Sequence, residues 1–281
     1  MKKLDDSILL YDAACPMCEV YSHGFIAAGM LDKSGRMDYA GMSEEIKTLV
    51  DVNRARNEIA LVNLKNQTVK YGIFSLFAII SHSFPAFNIL FDWKPFQKIM
   101  KRVYSFVSFN RRVIICGNEP ENPLACNPDF SLKYRIAYLI FAAVLSAFIL
   151  KTFTPLLGNY WPIPKGWIPE LLLVSGQLVF QYFVLRLFSN VRTVPKLFDY
   201  FGNLMMISLM GSLLLVPAII LNRFVAMPVY VMLFWFATVV LCMFLEHKRR
   251  IKIYQLPAGL TYSWVIYRIL VSSVFFLIAL K

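Results

Sequence analysis

The chain has 281 residues, 58% of them hydrophobic and 16% charged, with a formal net charge of +12. Several apolar runs of about 20 residues make this a multispanning membrane composition and exclude a water-soluble globule of this size. The lysines and arginines gather at the ends of those runs, where membrane orientation accounts for them without nucleic acid, and five cysteines with no dense framework exclude a disulfide-stapled extracellular scaffold.

Met1-Lys-Lys-Leu-Asp-Asp leads into the first apolar run with no cleavable signal pattern, so this part of the chain is expected not to be exported. Ile8 to Tyr11 reads as a short buried strand. Small residues follow, then Cys15-Pro-Met-Cys18, and after them Val20, Tyr21, Phe25, Ile26 and Met30 recur at helical spacing until Gly29 and the Asp32–Gly35 turn. A Cys-x-x-Cys at the first turn of a helix that follows a strand is the context in which the motif carries redox chemistry. The unpaired amides of a helix start stabilise a thiolate, and residues i and i+3 share a face, so the second sulfur can close on a mixed disulfide formed at the first. Cys15 is therefore expected to be the exposed attacking thiol and Cys18 the resolving one. Half a zinc site, or two incidental buried cysteines, are the competing readings.

Asp12-x-x-Cys15-x-x-Cys18 after a Tyr-ending strand resembles the signature of the DCC family of thiol-disulfide oxidoreductase-like proteins. Val103-Tyr-Ser-Phe-Val-Ser-Phe-Asn110-Arg111-Arg112 resembles the tyrosine, apolar helix, Asn-Arg ending of that family's domain. The resemblance covers about residues 5–115 and implies a thioredoxin-like domain with disulfide chemistry at Cys15 and Cys18. Two departures stand out. The family has Gly after the Asp where this chain has Ala13, and thioredoxin itself has a cis-proline facing the cysteines, whereas no proline lies between Pro16 and Pro85. Asp12 is expected to accept a proton from, or to orient, the resolving thiol; capping the helix is its alternative role.

Arg36–Tyr39 reads as a short strand and Ser43–Val50 as a short helix capped by Ser43. Glu58–Leu64 and Thr68–Gly72 flank Lys65-Asn66-Gln67 as a hairpin, and Ile73–Ser83 is an apolar helix too short to span a membrane. Pro85 to Trp93 reads as a loop or interfacial segment. Pro95 to Phe109 is a basic amphipathic helix whose apolar face is expected on the membrane surface or on its own domain. The domain is drawn at residues 1–115, followed by a linker at 116–132 whose prolines, glycine and asparagines exclude regular structure; Cys116 and Cys126 within it invite a disulfide reading.

Residues 133–281 form an all-α membrane domain with spans expected at Tyr134–Thr154, Ile168–Ser189, Phe201–Leu221, Val225–Leu245 and Leu260–Leu280. Nine loop cations fall on one side (Lys133, Arg135, Arg186, Arg192, Lys196, Lys248, Arg249, Arg250, Lys252) and four on the other (Lys151, Lys165, Arg223, Lys281). That asymmetry predicts a multi-pass protein of the inner cell membrane, with its N-terminal domain in the cytoplasm and its C-terminus outside. Arg268, near the midplane of the last span, is an intramembrane candidate, with Gln181 at similar depth, Gln177 one turn further out and Ser208 expected to complete a polar pocket. It is read either as a structural arginine held by polar neighbours or as one facing a lipid or quinone headgroup. Cys242 is the only cysteine in any span, so a thiol relay through the bilayer is not expected.

The fold class expected is thus an α/β thioredoxin-like N-terminal domain joined to about five transmembrane helices. The function expected is membrane-anchored thiol-disulfide exchange on the cytoplasmic face, with no cofactor beyond the Cys15–Cys18 disulfide and with the bilayer and a protein thiol or disulfide, membrane-bound or not, as partners. A non-catalytic subunit that docks or assembles a partner membrane complex is the alternative. A transporter or quinone-linked reductase would rest on Arg268 and its neighbours alone.

Overall fold

The computed structural model describes residues 2–117, 129–161, 166–189 and 191–279. The chain forms two compact units, residues 1–134 and 135–281.

In the first unit, β1 (Ser7–Tyr11) runs into α1 (Pro16–Ala27), then β2 (Arg36–Asp38), α2 (Glu44–Leu49), α3 (Val52–Asn57), the hairpin β3 (Ala60–Asn63) and β4 (Thr68–Tyr71), α4 (Ile73–Ser83), the short α5 (Asn88–Phe91) and α6 (Lys94–Ile114). The four strands lie in the order β2-β1-β3-β4. β1 pairs in parallel with β2, and β3 is antiparallel to both β1 and β4, with Leu9 opposite Leu61 and Val62 opposite Val69. β1 is a continuous apolar run because both of its faces are covered. Adjacent strand residues point to opposite faces, so Leu10 joins Tyr39, Met42, Ile46 and Ala55 on one side while Leu9 joins Leu31, Ile59 and Ile79 on the other. Helices α2 and α3 therefore cover one face, and α1 and α4 the other.

Local chemistry sets the short elements. Ser43 accepts the Ile46 N–H at 3.5 Å to start α2, and Asp51 accepts the Arg54 N–H at 3.1 Å to start α3, a helix that periodicity does not announce. Asn63 Oδ1 accepts the Asn66 N–H in the hairpin loop, where Gln67 adopts φ 49°. The Phe-rich stretch after α4, expected as a loop, is a 3₁₀ turn plus α5, because Phe91 stacks on Phe77 with ring centroids 4.1 Å apart. Between the two fates considered for the amphipathic helix, Phe96, Met100 and Tyr104 of α6 pack on Ile73, Phe77 and Phe91 of their own unit. The helix also continues past Phe109 to Ile114, burying Asn110, Arg111 and Val113.

The second unit contains α7 (Leu132–Phe153, which begins just before the unit boundary), α8 (Trp167–Phe188), α9 (Val194–Phe224), α10 (Val229–Ile253) and α11 (Gly259–Ala279). Five helical stretches among the described residues are long and apolar enough to cross a membrane: 132–158, 167–188, 194–224, 229–253 and 259–277. α9 starts seven residues before the expected span, with Thr193 at its N-cap and a proline in its first turn, and it carries Pro217 in its interior. α10 runs past Leu245 through its charged end, where Glu246 pairs with Arg249 and Arg250 at i+3 and i+4. Glycines allow the closest helix contacts: a Cβ at Gly211 would overlap Met243, and one at Gly176 would overlap the Tyr267 hydroxyl.

Candidate functional site

Cys15 is the N-cap of α1 and Cys18 lies in its first turn, with Pro16 as the first helical residue. The loop before them is held from two sides. Asp12 Oδ1 accepts the Ala14 N–H at 3.1 Å, and Asp38 Oδ1, from the end of β2, accepts the Ala13 N–H at 3.2 Å. Asp12 therefore shapes the loop and does not cap the helix. Its other oxygen, Oδ2, meets Arg111 Nη2 at 3.4 Å, and both side chains are buried. Burial raises the Asp12 carboxyl above the usual carboxylate range, opposed by the Arg111 and Arg112 charges and the Ala14 N–H.

Both cysteines are reduced and buried, Cys15 at 4% exposure and Cys18 at 3%. The expectation of an exposed Cys15 is corrected: the sulfur is buried, while the neighbouring Ala13 and Pro16 stay exposed. The charge also falls on the other sulfur. A hydrogen bond from the Cys15 thiol holds Cys18 down at about 6 against the cost of burial, helped by the Arg111 guanidinium and the Tyr21 hydroxyl. Cys15, as the proton donor of that bond and itself buried, is pushed far up. The two sulfurs titrate as a pair, with the Cys15–Cys18 hydrogen bond lowering Cys18 and raising Cys15.

Three elements converge here beyond α1. A small cavity of about 10 Å³ is lined by residues that include Asp12, Cys18, Tyr21, Tyr39, Ile59 and Arg111. Ile59, at the start of β3, donates its N–H to Tyr104 Oη of α6 at 2.9 Å. The chain leaving α6 returns to the motif: a Cβ on Gly117 would lie 3.0 Å from Pro16 Cδ and 3.2 Å from the Ala14 carbonyl oxygen. Cys116, one residue before, is 4% exposed and reduced. The suggested Cys116–Cys126 disulfide lies outside the described residues, as does most of the stretch read as a linker. Sequence reasoning quoted Arg111 only as part of a family-like ending; its approach to Asp12 joins residues 99 positions apart, which no local pattern announces. The described residues contain no cluster of three or more His, Cys, Asp or Glu side chains that could hold a metal.

Among the described residues no hydrogen bond joins Arg268, Gln181, Gln177 and Ser208 to one another. Gln181 is well bonded: its Oε1 accepts from Tyr200 Oη at 2.8 Å, and its Nε2 donates to Ser263 Oγ at 3.1 Å and to the Leu260 carbonyl at 3.4 Å. It pins α8, α9 and α11 together. Gln177 is 2% exposed, and its amide has no hydrogen-bond partner among the described residues. Arg268 places its guanidinium 4.3 Å from the ring centre of Trp264, a cation–π contact, and its Nε is unpartnered among the described residues. The Ser208 carbonyl accepts from Ser212 Oγ at 2.9 Å, and among the described residues Ser208 makes no hydrogen bond to Gln177, Gln181 or Arg268. Cys242 is exposed on α10. Compared with family models, curated proteins and solved structures, the chain matches none.

Proposed function

We propose that the first unit is a thioredoxin-like domain of the DCC type that exchanges thiols and disulfides through Cys15 and Cys18. The observation that carries this is the placement of Cys15 at the N-cap and Cys18 in the first turn of α1, directly after β1 and beside the buried Asp12–Arg111 pair. The Cys15 thiol and the Arg111 charge both favour the Cys18 thiolate. A thiolate so stabilised serves both directions of exchange. When a partner thiolate attacks Cys15 of the internal disulfide, the Cys15–Cys18 bond breaks and Cys18 leaves with the electron pair. A second partner thiolate then attacks the partner sulfur of the mixed disulfide, the partner disulfide forms and Cys15 leaves as a thiolate that takes up a proton. In the reverse direction Cys15, having lost its proton, attacks a partner disulfide and displaces one partner thiolate; Cys18 then attacks Cys15, re-forming Cys15–Cys18 and releasing the second partner sulfur as a thiolate. Cys15 is the sulfur assigned to the partner: it is buried as the structure stands, so attack on it requires the helix start, where Ala13 and Pro16 are exposed, to open. Support for the thioredoxin-like reading comes from the strand order β2-β1-β3-β4 with β3 antiparallel to its neighbours, and from helices on both faces. The loop-cation asymmetry supports placing this unit on the cytoplasmic side of the inner membrane.

A trapping experiment on the full chain tests the proposal. With Cys18→Ser, a mixed disulfide through Cys15 accumulates and shows as a reducible adduct on non-reducing gels. Cys15→Ser abolishes it. A second reading, a docking subunit without chemistry, is favoured by the near-complete burial of both sulfurs and by Gly117 lying against Pro16. Under that reading neither variant forms an adduct.

A further inference from the structure

A cavity of 530 Å³ opens where α10 turns into α11, within the range of built ligand sites. Its shape comes from the turn itself. Gln255 adopts φ 51°, and Leu256 folds back so that its N–H donates to the Ile251 carbonyl at 3.0 Å. This leaves a concave apolar wall that includes Leu256 and Tyr262, with Thr261 beside it and Lys248, Arg249 and Lys252 as its charged lining. No acid lines it. The nearby acid, Glu246, is already engaged by Arg249 and Arg250, each at 2.7 Å. Lys248 and Lys252 stand at i and i+4, a like-charge pair on one helix face that costs stability unless an anion sits between them.

We propose that this cavity holds the headgroup of an anionic phospholipid. It lies at the ends of two spans, 229–253 and 259–277, the level at which headgroups sit. Basic pockets between helix ends bind acidic headgroups by this combination of charge and apolar wall. Below the cavity, exposed Leu245 and Leu241 follow one another at i and i−4 down α10 and give the acyl chain an apolar track. Orientation by positive charge requires cations at a loop; it does not require a walled cavity beneath them.

The test uses the full chain purified in detergent, with native mass spectrometry counting retained lipid after addition of phosphatidylglycerol or phosphatidylcholine. Phosphatidylglycerol is retained in preference. The double variant Lys248→Gln/Lys252→Gln lowers that retention roughly 30-fold, a factor of about five for each lysine. The control pair Arg192→Gln/Lys196→Gln, at another basic span end, leaves it unchanged. Equal retention of the two lipids, or equal loss in both double variants, overturns the site. Displacement of the lipid by millimolar inorganic phosphate assigns the cavity to a free anion and overturns the lipid assignment. If the double variant does not fold, photoreactive phosphatidylglycerol on the unaltered chain decides: crosslinks within 245–262 uphold the site, and their absence there rejects it.

Discussion

Arg111 and Asp12 are 99 positions apart in the chain, yet they meet at 3.4 Å where both are buried. The arginine serves two buried anions there, the Asp12 carboxylate and the Cys18 thiolate, and its removal is expected to be felt at both. Arg111→Met should raise the Cys18 midpoint from about 6 by roughly one unit or more, read from the pH dependence of alkylation. An unchanged midpoint would show that Arg111 holds Asp12 alone. In the unaltered protein, alkylation of the pair should climb through pH 6 and then level, whereas an ordinary thiol keeps gaining rate to about pH 8.5. Stability follows the same shift. The folded-state value for Cys18 lies below its unfolded one, so its contribution is full above the unfolded thiol range and is lost as pH falls through about 6. Reduced protein should therefore gain stability between about pH 6 and the unfolded thiol range, and the Cys18→Ser variant should lose that slope.

The segment that follows α6 acts on the motif through contact with its backbone and ring atoms. A methyl group at Gly117 would sit 3.0 Å from Pro16 and 3.2 Å from the Ala14 carbonyl, close enough that one of them must give by a few tenths of an ångström. Gly117→Ala should push this segment off the start of α1 and speed alkylation of Cys15 several-fold, measured by mass spectrometry of the 15–18 peptide. Unchanged labelling would mean that the segment does not limit access. Elements with their own local signal were legible in the sequence: β1 as a continuous apolar run, the hairpin around Lys65-Asn66-Gln67, the Ser43 cap, and α4 at its observed bounds. Helix α3 was not, because Val52-Asn-Arg-Ala-Arg-Asn carries no apolar period and is fixed by one cap and by Ala55 in the core. The cysteine pair was legible for the same local reason. Arg111 and the Gly117 contact were not, because both depend on where a 21-residue helix ends in space. The burial that hides Cys15 is likewise a tertiary fact that its position at a helix start does not encode.

At the scale of the molecule, an odd number of spans puts the two ends of the membrane unit on opposite sides of the bilayer. With five candidate spans and nine loop cations against four, the proposed topology has Lys133 and Lys252 inside and the C-terminus outside. Reporter fusions after Lys133, Arg192 and Lys252 should all read cytoplasm, and one at Lys281 the exterior; a cytoplasmic Lys281 would break the five-span count. The same arrangement confines thiol chemistry to the first unit. Cys242, the only cysteine in the spans, has no second sulfur to exchange with across ~30 Å of hydrocarbon. Cys242→Ser should leave the redox state of Cys15–Cys18 as it was.

The central claim, that Cys15 and Cys18 cycle between dithiol and disulfide, is tested most directly by redox equilibration of the full chain in glutathione buffers, with mass spectrometry counting the bond between those two residues. The account predicts a single two-electron transition, complete within the accessible range of potentials, absent from Cys15→Ser and Cys18→Ser and shifted in Arg111→Met. A pair that stays reduced in fully oxidised glutathione, or that co-purifies with zinc lost on mutating either cysteine, would contradict it.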